Sequence, residues 1–152
     1  MGILDKIKDS IKGLVNKNKT RNPFELAEAL GIILVEAPLK DGLNGCYHER
    51  SGFQFIYINS DLPYEKRLMV AAHELGHAIL HRGRNILYLS NNTYYTRGTF
   101  EREANLFAAE LLLEDDFFEK YKHIENCTLE YVSQCECVSY ELVDYKLKYL
   151  SE

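Results

Sequence analysis

The apolar positions of this chain recur with two different periods, and the change of period separates helices at both ends from strands between them. Ile3, Leu4, Ile7, Ile11, Leu14 and Val15 fall at helical spacing with lysines opposite, so residues 3–16 predict an amphipathic helix. Asn22-Pro23-Phe24-Glu25 has the composition of a helix start, and Gly31 closes the short helix ending in LAEAL. The period then becomes two. IILVEA (32–37) has strand composition, Pro38 through Gly45 reads as a loop, and Cys46 to Arg50, Ser51-Gly52 and FQFIYIN (53–59) predict a β-hairpin.

Helical spacing returns from Pro63 to about Arg82, with Ser60 or Asp61 as the expected cap. Residues 83–98 form a long, partly polar connection, after which Thr99 is the expected cap of a second strong helix, FEREANLFAAELLL. Beyond Asp115 three shorter helices are predicted, the last being VSYELVDYKLKYL with Ser139 as its cap. Helices, a small sheet, then helices again imply an α+β fold. The expectation is a single domain over 1–152, with a basic amphipathic segment at 1–21 and a helical tail at 115–152.

Composition narrows the function classes. With 152 residues and 46% hydrophobic content, the chain can bury one core of ordinary size. Its 18 basic and 23 acidic residues give a formal charge of -5, which argues against broad nucleic-acid contact. The basic excess sits at the start, where Lys6, Lys8, Lys12, Lys17, Lys19 and Arg21 face only Asp5 and Asp9. A helix docked on the core or on a regulatory partner is expected there, with a membrane surface as the alternative. No continuous apolar run suits a signal peptide or a bilayer span, and Cys46, Cys127, Cys135 and Cys137 lack CxxC spacing. Reduced thiols in a cytoplasmic protein are expected, Cys135 and Cys137 included.

Chemistry concentrates in VAAHELGHAILHR, where ionisable groups punctuate an apolar helix and need compensation. His73 and His77 lie four residues apart, on one face and ~6 Å apart along the axis, so both can grip one ion. Glu74 projects ~100° round the helix from His73, within reach of a water on that ion. Two imidazoles, a carboxylate and an open position suit one catalytic zinc. His81 lies ~12 Å along the axis from His73, too far for both to share an ion at ~2 Å bond lengths. A cleft-lining or helix-terminal role is expected for it. Gly83 stands where a metzincin would place its third histidine. In the helix at 100–113, Glu101 shares the core-facing stripe with Ala104, Asn105, Ala108, Leu111 and Leu112. Glu103, Glu110 and Glu114 gather opposite, with Glu103 and Glu110 expected to face solvent. Asn105 is placed to hydrogen-bond a ligating imidazole.

HELGH with its following LH, then EREANLFAAELLL, resembles the ImmA/IrrE family of metallo-endopeptidases within the gluzincin group. NPFELAEALGI, the hairpin before IYINSDLP and the tail VSYELVDYKLKYL extend the likeness over roughly residues 22–150. The resemblance implies a zincin-like fold, a small and mostly antiparallel sheet packed on the motif helix. It also implies His73, His77 and Glu101 as zinc ligands and Glu74 as general base. One departure is Glu114-Asp115, where the family often has proline after the LLL-type run.

The implied reaction is peptide-bond hydrolysis: Glu74 takes a proton from water acidified by zinc and delivers it to the departing amine. His81, Tyr94, Tyr95 and Arg97 remain open as donors to the oxyanion. The substrate is expected to lie extended along an edge strand. The family implies that it is a helix-turn-helix repressor of a prophage or mobile element, whose loss derepresses transcription. Two other classes compete with this one. TLEYVSQCECVSYELVDYKLKYL resembles a DNA-binding helix-turn-helix, but its second helix leads with Glu141 and Asp144 and offers Lys146 and Lys148 only late. A zinc-containing antirepressor or antitoxin-like protein that binds without cutting would have no use for Glu74 as a base.

Overall fold

The first helix, α1 (Ile3–Asn18), sets Ile7 and Ile11 into the core and keeps Lys6, Lys12 and Lys17 outside, so its amphipathic pattern is spent on docking. In the computed structural model, which describes residues 1–83 and 94–150 (94–97 by backbone alone), α2 (Pro23–Ala29) follows. The Asn22 side-chain oxygen accepts from the backbone N–H groups of Phe24 at 2.9 Å and Glu25 at 3.4 Å, the cap its sequence implied.

Strands β1 (Ile33–Ala37), β2 (Gly45–Arg50) and β3 (Phe53–Asn59) form a sheet in the order β1-β3-β2. The β2–β3 hairpin is antiparallel, with Arg50 opposite Phe53. Ser51 (φ 54°) and Gly52 (φ 82°) both take positive φ, as a two-residue type I′ connection requires. β1 joins the other side of β3 in parallel, Ile33 opposite Phe55, because the chain reverses twice between them, once through the 38–44 loop into β2 and once through the hairpin. The small sheet is therefore mixed.

Helix α3 (Tyr64–Leu80) covers the face of the sheet that carries Gln54, Ile56 and Ile58, all buried. Gln54 fastens the two layers: its amide donates to the Ala78 carbonyl at 2.8 Å and to the Tyr47 hydroxyl at 2.9 Å. α3 starts behind Pro63 with no side-chain cap. Neither Ser60 nor Asp61 caps it, since the corner is closed by Asn59, which accepts from the Asp61 N–H at 3.0 Å. Helix α4 (Tyr94–Leu112) packs on α3 and begins more than a turn before Thr99, which therefore lies inside the helix. Residues 84–93 of the expected connection lie outside the described part. A 3-10 turn (Phe117–Lys120), α5 (Leu129–Glu136) and α6 (Tyr140–Leu150) complete the chain, with the Ser139 hydroxyl accepting from Leu142 N–H at 3.4 Å. Among the described residues no helix is long and apolar enough to cross a membrane.

The tail is locked to α4 by a buried cation. The Lys146 side chain is fully buried, and its ammonium lies 2.8 Å from Glu110 and 2.6 Å from Asp115. Glu110, expected in solvent, is buried because α6 covers that face of α4. The Lys146 hydrogen bond holds the Asp115 carboxyl below the usual aspartate range. Lys146 is thereby withdrawn from any DNA-facing surface, and Lys148 is paired with Asp144 at 2.9 Å. Removing one partner of a buried pair strands the other. Lys146→Met should cost about 3 kcal/mol in chemical denaturation, and adding Glu110→Leu should restore much of it. Unchanged stability in the single variant would contradict this packing.

Candidate metal centre

The α3–α4 contact is built from small residues. A Cβ on Gly76 would sit 3.0 Å from Phe107 Cβ and 3.2 Å from both Cα and O of Ala104. Ala72, Ala104 and Ala108 are buried nearby, so the helix axes come close enough for the short side chains of α4 to reach the rings of α3.

Glu101 spans both histidines. Its Oε2 lies 3.1 Å from His73 Nε2 and its Oε1 3.0 Å from His77 Nε2. Asn105 Oδ1 lies 2.8 Å from His73 Nδ1, so the amide sets the ring's rotation. The two imidazoles stand edge to face, 4.9 Å apart at 85°. One ligand atom from each of His73, His77 and Glu101 lies within 4.8 Å of the other two. Donors at ~2 Å from a tetrahedral ion are ~3.3 Å apart, so small side-chain rotations would seat one. The donor set fits a divalent ion of zinc type.

The electrostatics favour positive charge at this point. With no ion between them, the hydrogen bonds that Glu101 makes with the two rings hold its carboxyl well below the usual carboxylate range. Burial opposes charge on His73, but the Glu101 hydrogen bond and the nearby Glu74 charge outweigh it and raise the ring's pKa. Glu74 is only 8% exposed, and burial pushes its carboxyl up against the lowering influence of His73 and His77.

Glu74 opens onto a cavity of about 550 Å³ whose wall includes Leu43, Gly45, Val70, His73, Ala108 and Leu142. Gly45 opens β2 beside the motif helix, where any Cβ would run into Val70 and lie 2.7 Å from the Tyr57 carbonyl. Asn59 pins the rim, donating from its side-chain amide to the Leu43 carbonyl at 3.1 Å. The tail supplies the far wall: Ser139 N–H reaches Met69 Sδ of α3 at 3.0 Å.

Other expected residues lie elsewhere. His81 is the C-cap residue of α3, the helix-terminal place expected for it, and is not among the residues that line the cavity. It is 1% exposed and stands behind His77, with Nδ1 2.9 Å from His77 Nδ1 and Nε2 2.7 Å from a Glu103 oxygen. Glu103, expected in solvent, is thus held against α3, and Phe100 packs on the His81 ring at 4.3 Å. The signal for this pair was the His73, His77, His81 series along one helical face; nothing in α4 alone pointed to Glu103. The side chains of Tyr94, Tyr95 and Arg97 lie outside the described residues. Cys135 and Cys137 are exposed free thiols.

Comparison with known proteins follows the same residues. A family model described as the IrrE N-terminal-like domain, peptidase M78, matches residues 27–148, which include α3 and α4. The chain is 38% identical over 146 residues to "Uncharacterized immunity region protein 2" of Bacillus phage phi105, covering 96% of this chain and 90% of that protein. It is 29% identical over 143 residues to "Metallopeptidase ImmA" of Bacillus subtilis (strain 168), covering 93% and 83% respectively.

Two substitutions test the geometry. Glu101→Ala, which removes one of the three converging donors, should lower affinity for a divalent ion in chelator competition by roughly tenfold or more. Gly76→Val removes no donor, yet it should also weaken binding of a divalent ion, because overpacking of ~1–3 kcal/mol is relieved by parting the helices. Wild-type affinity in Glu101→Ala would mean that the carboxylate is no ligand.

Proposed function

Since the chain belongs to the IrrE N-terminal-like domain family of peptidase M78, we propose that this metallopeptidase is a zinc-dependent endopeptidase cutting a protein substrate. The observation that carries the reading is the convergence of His73, His77 and Glu101 beside Glu74 at the mouth of a cleft. His73, His77 and Glu101 would hold the ion. When bound, it supplies Lewis-acid polarisation of the scissile carbonyl and acidifies the attacking water.

The protein's own groups do the rest. Glu74, buried enough to be a stronger base than a solvated glutamate, takes the proton from the attacking water and hands it to the departing amine. Asn105 fixes the His73 ring, so that the ligand need not reorganise during turnover. β2 is an edge strand among the described strands, and its first residue lies against α3 beside Glu74. An extended peptide pairing with β2 would pass the carboxylate, with a side chain directed into the cavity.

The substrate we assign is a helix-turn-helix repressor of a prophage or mobile element, met in the cytoplasm, with derepression as the result. The immunity-region name of the phage phi105 relative and the metallopeptidase name of the Bacillus subtilis relative support that assignment.

The test is Glu74→Gln, which should retain zinc but lose about 10²–10⁴-fold in cleavage. Purified protein, zinc and the repressor encoded beside its gene are incubated, and fragments are mapped by mass spectrometry. Cleavage at the wild-type rate would end the hydrolytic reading. Intact derepression without any cleavage would instead favour a binding-only antirepressor.

A further inference from the structure

We infer that His81 and Glu103 are positioning residues for His77, a two-member relay that keeps the His77 Nε2 lone pair facing the metal centre; the inference rests on His77 being a ligand. Three contacts follow one another: Glu101 Oε1 to His77 Nε2 at 3.0 Å, His77 Nδ1 to His81 Nδ1 at 2.9 Å, and His81 Nε2 to Glu103 Oε2 at 2.7 Å. Both rings are buried, and the relay ends on a carboxylate of α4 that is itself largely covered.

Donor counting gives the relay its direction. Each of the three contacts needs one proton or one cation between its heavy atoms, and two neutral imidazoles bring only two protons. Glu103, as an acceptor, takes the N–H of His81 Nε2. His81 Nδ1 is then a lone pair, and it accepts the N–H of His77 Nδ1. That leaves His77 Nε2 without a proton, opposite a Glu101 oxygen. A divalent cation held by His77 and Glu101 would satisfy the third contact with both rings neutral.

The carboxylate at the far end therefore selects the tautomer at the near end. The ligand face of His77 is prepared by Glu103, through His81, rather than by the ion alone. His73 receives the equivalent service from Asn105 over a single contact at 2.8 Å. All three orienting or ligating polar groups (Glu101, Glu103 and Asn105) come from one stretch of α4, so the helix packing that supplies the third ligand also supplies the order of the protons.

Two measurements on the full chain test this. In chelator competition, Glu103→Ala and His81→Phe should each lower zinc affinity about 10–100-fold. Glu103→Gln, whose carbonyl still accepts from His81, should recover most of that loss. Cobalt substituted for zinc should show a shifted visible spectrum in Glu103→Ala and a near wild-type one in Glu103→Gln, a distinction that mere core damage would not make. Should the variants fail to fold, long-range ¹H–¹⁵N spectra of the zinc-loaded wild type decide the matter. His77 protonated at Nδ1 with His81 protonated at Nε2 supports the relay, and His81 protonated at Nδ1 overturns it. Wild-type protein that binds no zinc would remove the metal reading itself. Zinc-binding protein with unchanged affinity and spectrum in Glu103→Ala would remove only the relay.

Discussion

Helices α3 and α4 meet most closely at Gly76, and that near-contact decides where every polar group of the site can lie. With no side chain at that point, the Ala104 backbone and the Phe107 Cβ fit directly against the motif helix, leaving no room there for any other residue. A short carboxylate such as Glu101 can then bridge rings belonging to the other helix. Ridges of larger residues would hold helices ~8–10 Å apart and demand longer ligands.

Helix α4 presents polar groups to buried surroundings on more than one side. Glu101, Glu103 and Asn105 meet the histidines of α3, while Glu110 meets Lys146 of α6. Each is compensated within hydrogen-bond distance, which is the condition for tolerating such groups away from water. The arrangement joins function to stability. The same helix that orients the proposed metal ligands is held in place by α1, by α6 and by Arg21, which donates to the Glu110 and Leu111 carbonyls at 2.8 and 3.0 Å. Arg21 satisfies carbonyls that a helix end leaves open.

The tail completes the cleft and does not stand apart from it. α6 brings Ser139 and Leu142 to the wall opposite β2, and Lys146 ties the same helix to α4. A helix-turn-helix outline in sequence has thus become scaffold. The pocket beside Glu74 gains its depth from residues far along the chain, so its shape is a property of the docked tail and of the Asn59-pinned rim together.

What the chain determined by itself is local. The Asn22 cap, the Ser51-Gly52 turn, the strand alternation of β3 and the shared face of His73 and His77 each depend on residues within a turn or two of one another, where backbone geometry alone fixes relative position. Glu101 and Asn105 were legible as a polar pair on an apolar stripe. Glu103 and Glu110 were not, because a helical wheel tells which residues face away from one stripe but not that another helix lies there. His81 and Lys146 supplied those second surfaces, and only tertiary packing brought them into reach. The same holds for β1, whose parallel pairing with β3 follows from the path of the chain around the sheet and leaves no mark on the strand's own residues.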